Sequence, residues 1–175
     1  MLIFFPSIFD QIRCKQLTDI MLKYHSNKKL TFEGSTRYYR NSYGSSLPEF
    51  NALLPDLTPI IKEKTGINNL VTKNSYSRIY FADSILKKHV DRPGLDITLS
   101  ICIHDDTGLE WPLHVENTDG NVVPVITKPG DGGLILGTKM NHWRDLLTCG
   151  DGKMVIQAFF HWEIPSETSS AEPKQ

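Results

Sequence analysis

Cysteine is scarce in this chain: 175 residues contain only Cys14, Cys102 and Cys149, widely spaced and odd in number. That excludes the disulfide framework of a small secreted domain and points to a reducing, cytoplasmic setting. No apolar run approaches the roughly 18 residues that a membrane span requires, so no membrane partner is expected. The opening Met1-Leu-Ile-Phe-Phe-Pro6 is apolar but lacks the basic n-region, the longer apolar stretch and the small-residue cleavage site of a signal peptide. A surplus of charge is missing too. With 19 Lys and Arg against 20 Asp and Glu, the formal net charge is -1, which leaves no basic footprint for a nucleic-acid partner.

What remains is an ordinary soluble composition, 39% hydrophobic and 22% charged, on a chain long enough to bury a core without staples. We expect one domain over residues 1–164 and a disordered polar tail over 165–175. Helical support should occupy about 8–66. Ser7 and Asp10 resemble a capping box, and Ile8, Ile12, Leu17, Ile20, Met21 and Tyr24 follow at helical spacing, predicting a helix over 8–25. Residues 27–46, without a clear period, read as a loop or irregular edge strands. A second helix is predicted from Asp56, as N-cap, to a stop at Gly66, with Pro59 in its first turn.

From about residue 70 to 164 the texture becomes short β-type runs separated by turn signals, as in a sandwich or barrel. The predicted strands are 76–82, 95–103, 111–116, 122–127, 133–136 and 154–162. Asp119-Gly120 is a hairpin signal, and Pro129 to Gly133 a sharp glycine-rich turn.

Within this region His89-Val90-Asp91 places an imidazole and a carboxylate at i and i+2, which in a strand share one face. The best third ligand is His142, in Asn141-His-Trp-Arg-Asp145, with His161 in Phe159-Phe-His-Trp162 as a rival. Two histidines and a carboxylate compose the facial triad of non-haem iron oxygenases. A core or surface role for each histidine is the plainer alternative.

The order of motifs over 76–162 resembles the prolyl 4-hydroxylase-like branch of Fe(II)/2-oxoglutarate-dependent oxygenases. It is carried by Arg78-Ile-Tyr80, Leu86-Lys-Lys-His-Val-Asp-Arg-Pro93, Trp111-Pro112, Lys128-Pro-Gly-Asp131 and Gly137-Thr-Lys-Met-Asn-His-Trp-Arg144. The resemblance implies a mainly β fold with N-terminal helices, a double-stranded β-helix or cupin-like jelly roll. It implies Fe(II) held by His89, Asp91 and His142, and 2-oxoglutarate as co-substrate, with ascorbate as an optional accessory. It also implies conversion of 2-oxoglutarate and O2 to succinate and CO2, coupled to hydroxylation of an unactivated C–H bond in a prolyl residue, peptide or small molecule.

Family members hold the far carboxylate of 2-oxoglutarate with a basic residue after the distal histidine, often helped by a tyrosine before the HxD motif. Lys153 and Tyr80 match by spacing, while Arg144 and Arg78 are alternatives because a fixed guanidinium pairs well with a carboxylate. Lys153 could equally be a solvated turn residue. Arg92, Trp111 and Trp143 are candidates for substrate contact or support of the metal ligands, against a surface ion pair for the arginine and core packing for the tryptophans. His104 and His114 read as surface or rim residues, and His25 as a helix-end histidine. Tyr38, Tyr39 and Tyr43 with Arg37 and Arg40 form either a substrate lid or an ordinary loop. Two other readings stay open: a cupin-type metal enzyme without 2-oxoglutarate, and a non-catalytic binding module on the same scaffold.

Overall fold

A computed structural model describes residues 1–32 and 40–165. The polar tail from 166 onward and the candidate lid residues Arg37, Tyr38 and Tyr39 lie outside them. Eleven strands are described, forming two antiparallel sheets. The larger contains β1 (Leu2–Phe5), β2 (Thr31–Phe32), β3 (Ser42–Ser45), β4 (Val71–Tyr80), β6 (Ile97–Asp105), β9 (Gly132–Leu136) and β11 (Val155–Glu163), in the order β1-β9-β6-β11-β4-β3-β2. The smaller contains β5 (Leu86–His89), β7 (Leu113–Glu116), β8 (Val122–Val125) and β10 (His142–Arg144), in the order β5-β10-β7-β8. Three helices, α1 (Gln11–Ser26), α2 (Pro48–Asn51) and α3 (Leu54–Thr65), complete the fold. Among the described residues, no helix is long and apolar enough to cross a membrane.

The large sheet is buried on both faces, and its strand sequences show why. Successive side chains alternate between faces. In β6, Ile97, Leu99, Ile101 and Ile103 join a cluster with Leu17 and Met21 of α1 and Leu57 and Ile61 of α3. Thr98 and Ser100 face the other way, into a cavity. In β11, Ile156, Ala158, Phe160 and Trp162 face the helices, while Phe159 and His161 line the cavity. The helices thus seal one face and free the other for polar chemistry.

Trp162 ties these layers together. It is 0% exposed, and its indole N–H donates to Thr58 Oγ1 on α3 at 2.9 Å. Trp162→Ala should lower the unfolding free energy by about 3–5 kcal/mol, measured by urea denaturation at fixed metal content. A loss under about 1 kcal/mol would contradict this account of the helix–sheet contact.

Several sequence expectations shift. The first helix begins at Gln11, because Ser7 has φ 50° and donates its N–H to Asp131 Oδ1 at 2.9 Å. Asp10 is the cap, accepting from the Arg13 N–H at 2.7 Å. Ile12, expected on the apolar face, is 71% exposed. The second helix starts at Leu54 with Pro55 in its first turn, and Pro59 lies inside it. Gly66 does stop it, at φ 72°. The apolar N-terminal segment is a strand, β1, paired with β9. At Asp119-Gly120 the hairpin joins β7 and β8, with Gly120 at φ 81°.

Candidate metal centre

The smaller sheet brings the two histidines together. β5 and β10 run antiparallel with His89 opposite His142, and their ring centroids are 4.3 Å apart. Asp91 follows two residues beyond the end of β5, where its N–H donates to the Gly137 carbonyl at 2.8 Å. Asp91 Oδ1 stands 3.8 Å from His89 Nε2 and 3.7 Å from His142 Nε2. Among the described residues these form the group suited to one ion, with one ligand atom from each within 4.8 Å of the others.

Each ligand is oriented by a further contact. His89 Nδ1 lies 2.8 Å from the Lys87 carbonyl, and His142 Nδ1 lies 2.9 Å from the Met140 carbonyl. A carbonyl can only accept, so each Nδ1 carries a proton, and the neutral ring then presents its Nε2 lone pair toward Asp91. Burial holds the His142 pKa below its ordinary value, against the pull of Asp91, which keeps the ring neutral as metal ligation requires. Thr98 Oγ1 donates to Asp91 Oδ2 at 2.6 Å, leaving Oδ1 to face the histidines. Gly137 makes room for this pair. A Cβ there would lie 2.2 Å from Asp91 Oδ2, 2.6 Å from Thr98 Oγ1 and 2.7 Å from the Leu95 carbonyl.

The triad sits in the wall of a cavity of about 350 Å³. Leu86, Leu113, Ile135 and Phe159 give it apolar lining, and Asn74, Tyr76, Arg78, Ser100 and His161 give it polar groups. Arg78 is 3% exposed and donates to Ser42 Oγ at 3.0 Å and to Tyr76 Oη at 3.4 Å.

The other residues singled out in the sequence separate by position. Lys153 lies outside the cavity, before β11, with its side chain 52% exposed and Nζ 3.9 Å from Asp106. Tyr80 is buried beside Leu147 and Val155, its ring 5.0 Å from that of Trp111. Burial raises its pKa, opposed by the charges of Arg78 and Arg144. Arg144 is fully buried and stacks 4.8 Å over Trp111, while donating to the Trp111 carbonyl at 2.5 Å. Burial lowers its pKa, although a guanidinium stays charged at neutral pH. Tyr80, Arg144 and Trp111 form a group outside the cavity lining.

Trp143 alternates with His142 and stacks on His114 at 5.3 Å, with Lys88 4.9 Å above it. His114 also pairs with Asp145 at 3.1 Å, and His104 approaches Asp106 at 3.8 Å. His25 packs on Tyr43 at 4.5 Å. His161 shares the cavity but points Nδ1 at the Asn74 carbonyl, 3.1 Å away, and is not in the three-residue group. Thr98, Ser100, Asn74 and Tyr76 are not singled out by the sequence, and Gly137 enters it only as the first residue of the motif ending at Arg144. Polar residues alternating with Ile and Leu in β6 were a readable signal for Thr98 and Ser100, whereas the close approach at Gly137 left none.

No protein-family model matches the sequence, and no curated protein matches it. Solved structures do share the fold. A Pseudomonas putida prolyl-4-hydroxylase aligns with TM-score 0.69 and 12% identity, covering 91% of each chain. A Trichoplax adhaerens prolyl hydroxylase, in complex with a hypoxia inducible factor peptide fragment, aligns with TM-score 0.69 and 9% identity, covering 93% of this chain and 83% of its own. HygX from Streptomyces hygroscopicus, with nickel, 2-oxoglutarate and hygromycin B bound, aligns with TM-score 0.65 and 13% identity over 93% and 82%. The chain therefore has the double-stranded β-helix of these structures, with helices packed on its larger sheet.

Proposed function

We propose that the chain is an Fe(II)- and 2-oxoglutarate-dependent oxygenase that hydroxylates an unactivated C–H bond in a small molecule or peptide. The observation that carries this reading is the convergence of His89, Asp91 and His142 within 4.8 Å on a cavity that also exposes Arg78. The donor set fits the metal: two neutral imidazoles and one carboxylate suit Fe(II), and a facial triad leaves positions for co-substrate and oxygen. Bound there, Fe(II) would supply the oxygen chemistry that converts 2-oxoglutarate and O2 to succinate and CO2.

The protein's own residues supply geometry and environment. The Lys87 and Met140 carbonyls fix the imidazole tautomers. Thr98 holds one oxygen of Asp91, so the carboxylate offers the metal a single oxygen. Arg78 pairs with the far carboxylate of 2-oxoglutarate, since its buried guanidinium lines the cavity and burying a carboxylate without a charged partner is costly. Phe159, Leu86, Leu113 and Ile135 limit water around the reacting atoms. Ascorbate belongs to this reading as a reductant that keeps iron ferrous. The three free thiols and a ferrous centre suit a reducing compartment such as the cytoplasm.

Anaerobic addition of Fe(II) and 2-oxoglutarate should give a weak visible charge-transfer band, and admission of O2 should give succinate. Iron-loaded protein that shows neither would overturn the reading. Arg78→Gln should weaken 2-oxoglutarate binding by roughly 10- to 150-fold, the range expected from losing hydrogen bonds to a charged group, while Fe(II) affinity holds. Lys153→Gln serves as the comparison, with a change under about twofold. The reverse ranking, read by titration of the charge-transfer band, would move the anchor to Lys153.

A further inference from the structure

We infer that the substrate carries a carboxylate and that Arg92 receives it, an inference that rests on the 2-oxoglutarate reading above. Asp91 is followed by Arg92-Pro93-Gly94-Leu95, in which the Leu95 N–H donates to the Arg92 carbonyl at 3.2 Å. Gly94 has φ 86°. Proline second and a left-handed glycine third are the signature of a type II turn. The turn fixes the Arg92 backbone one residue beyond Asp91, and its exposed side chain lines the cavity.

The charges lining the cavity give Arg92 something to bind. Among the described lining residues, the only acid is Asp91 and the cations are Arg78 and Arg92. Asp91 is committed to the metal. A divalent metal with two guanidinium groups and one carboxylate leaves three positive charges, and dianionic 2-oxoglutarate removes two of them. One positive charge is left over. It belongs to Arg92 if Arg78 holds the co-substrate, because Arg92 makes no ion pair within the described residues. A planar guanidinium takes a carboxylate through two parallel hydrogen bonds.

The neighbouring wall narrows the class further. His161 lies opposite Thr98 in the β6–β11 register and lines the same cavity as Arg92. Its Nδ1–H is spent on the Asn74 carbonyl, so Nε2 is left as an acceptor. An N–H or O–H beside the substrate carboxylate would satisfy it, as in an amino acid or hydroxy acid. At about 350 Å³ the cavity is near the lower end of ligand sites, roughly 300–1,000 Å³, and 2-oxoglutarate shares it. The portion of substrate inside is therefore of amino-acid size, either a free acid or the C-terminal residue of a peptide.

The test uses full-length protein loaded with Ni(II) and saturating 2-oxoglutarate. Ligand-observed NMR screens free amino acids and α-hydroxy acids beside their primary amides, and short peptides with free beside amidated C-termini. The expected result is that acids bind and their amides bind at least about tenfold more weakly. Arg92→Gln should erase that preference while 2-oxoglutarate affinity stays within about twofold. Binding by free acids alone identifies a small-molecule substrate, and binding by free-carboxylate peptides identifies a terminal residue. Equal binding of acids and amides, an unchanged preference in Arg92→Gln, or no acid bound by 2-oxoglutarate-loaded protein would each overturn the inference and leave the co-substrate reading standing. Failure to bind Ni(II) or 2-oxoglutarate would overturn both.

Discussion

Asp91→Ala should remove Fe(II) binding at micromolar metal and leave less than about 1% of succinate formation. Altering residues that merely support metal ligands typically costs 10- to 100-fold in affinity or activity, and Asp91 is proposed as a ligand itself. Its Oδ1 lies 3.8 and 3.7 Å from the two histidine Nε2 atoms. Without the carboxylate, a cation would face two neutral imidazoles and no compensating negative charge. Titration with Fe(II) under anaerobic conditions reads the effect directly. His161→Ala is the control, since that ring is turned toward the Asn74 carbonyl, and its metal affinity should change by less than about threefold. A tight Fe(II) site surviving in Asp91→Ala, or one lost in His161→Ala, would show that the ligand set is wrong.

Gly137→Ala should be nearly as damaging through a single methyl group. The φ angle at Gly137 is not in the left-handed region, so the obstacle is contact alone. The added carbon would occupy space held by Asp91 Oδ2, Thr98 Oγ1 and the Leu95 carbonyl. Overpacking of this kind commonly costs about 1–3 kcal/mol. Here the displaced group is the proposed ligand carboxylate, so Fe(II) affinity should fall at least about tenfold, comparable with loss of a ligand's supporting contact. Gly150→Ala, at a glycine with nothing within 4 Å of its would-be Cβ, should leave stability within about 0.5 kcal/mol. Thermal melts and Fe(II) titrations of the two variants make the comparison. An unaltered Gly137→Ala protein would mean that the Asp91–Thr98 contact is not maintained in solution.

The legible parts of the sequence were those where local chemistry and tertiary context agree. Asp119-Gly120 encodes its turn through a glycine able to take positive φ, and the hairpin forms there. The predicted β6 and β11 cores lie within two residues of the observed strands. β1, β5 and β10 are three or four residues long, too short for a period to show, and they are defined by pairing with distant strands. Spacing alone did not place Lys153 on the cavity wall. Counting eleven residues from His142 reaches a lysine, but the turn around Gly150 to Gly152 uses up that chain length and β11 begins only at Val155. Arg78 reaches the cavity from β4, a placement that depends on which strand lies beside β11.

β11 lies between β6 and β4, near the middle of the larger sheet, yet it follows every other described strand. A ribosome therefore delivers the central strand after both of its neighbours. Until residues 155–163 emerge, β4 and β6 have no shared neighbour, and their inner edges are open to pairing with other chains. Contacts of such long sequence separation make folding slow. The nascent protein thus passes through a stage in which its two halves await one strand, when a chaperone that covers β edges would have most to protect.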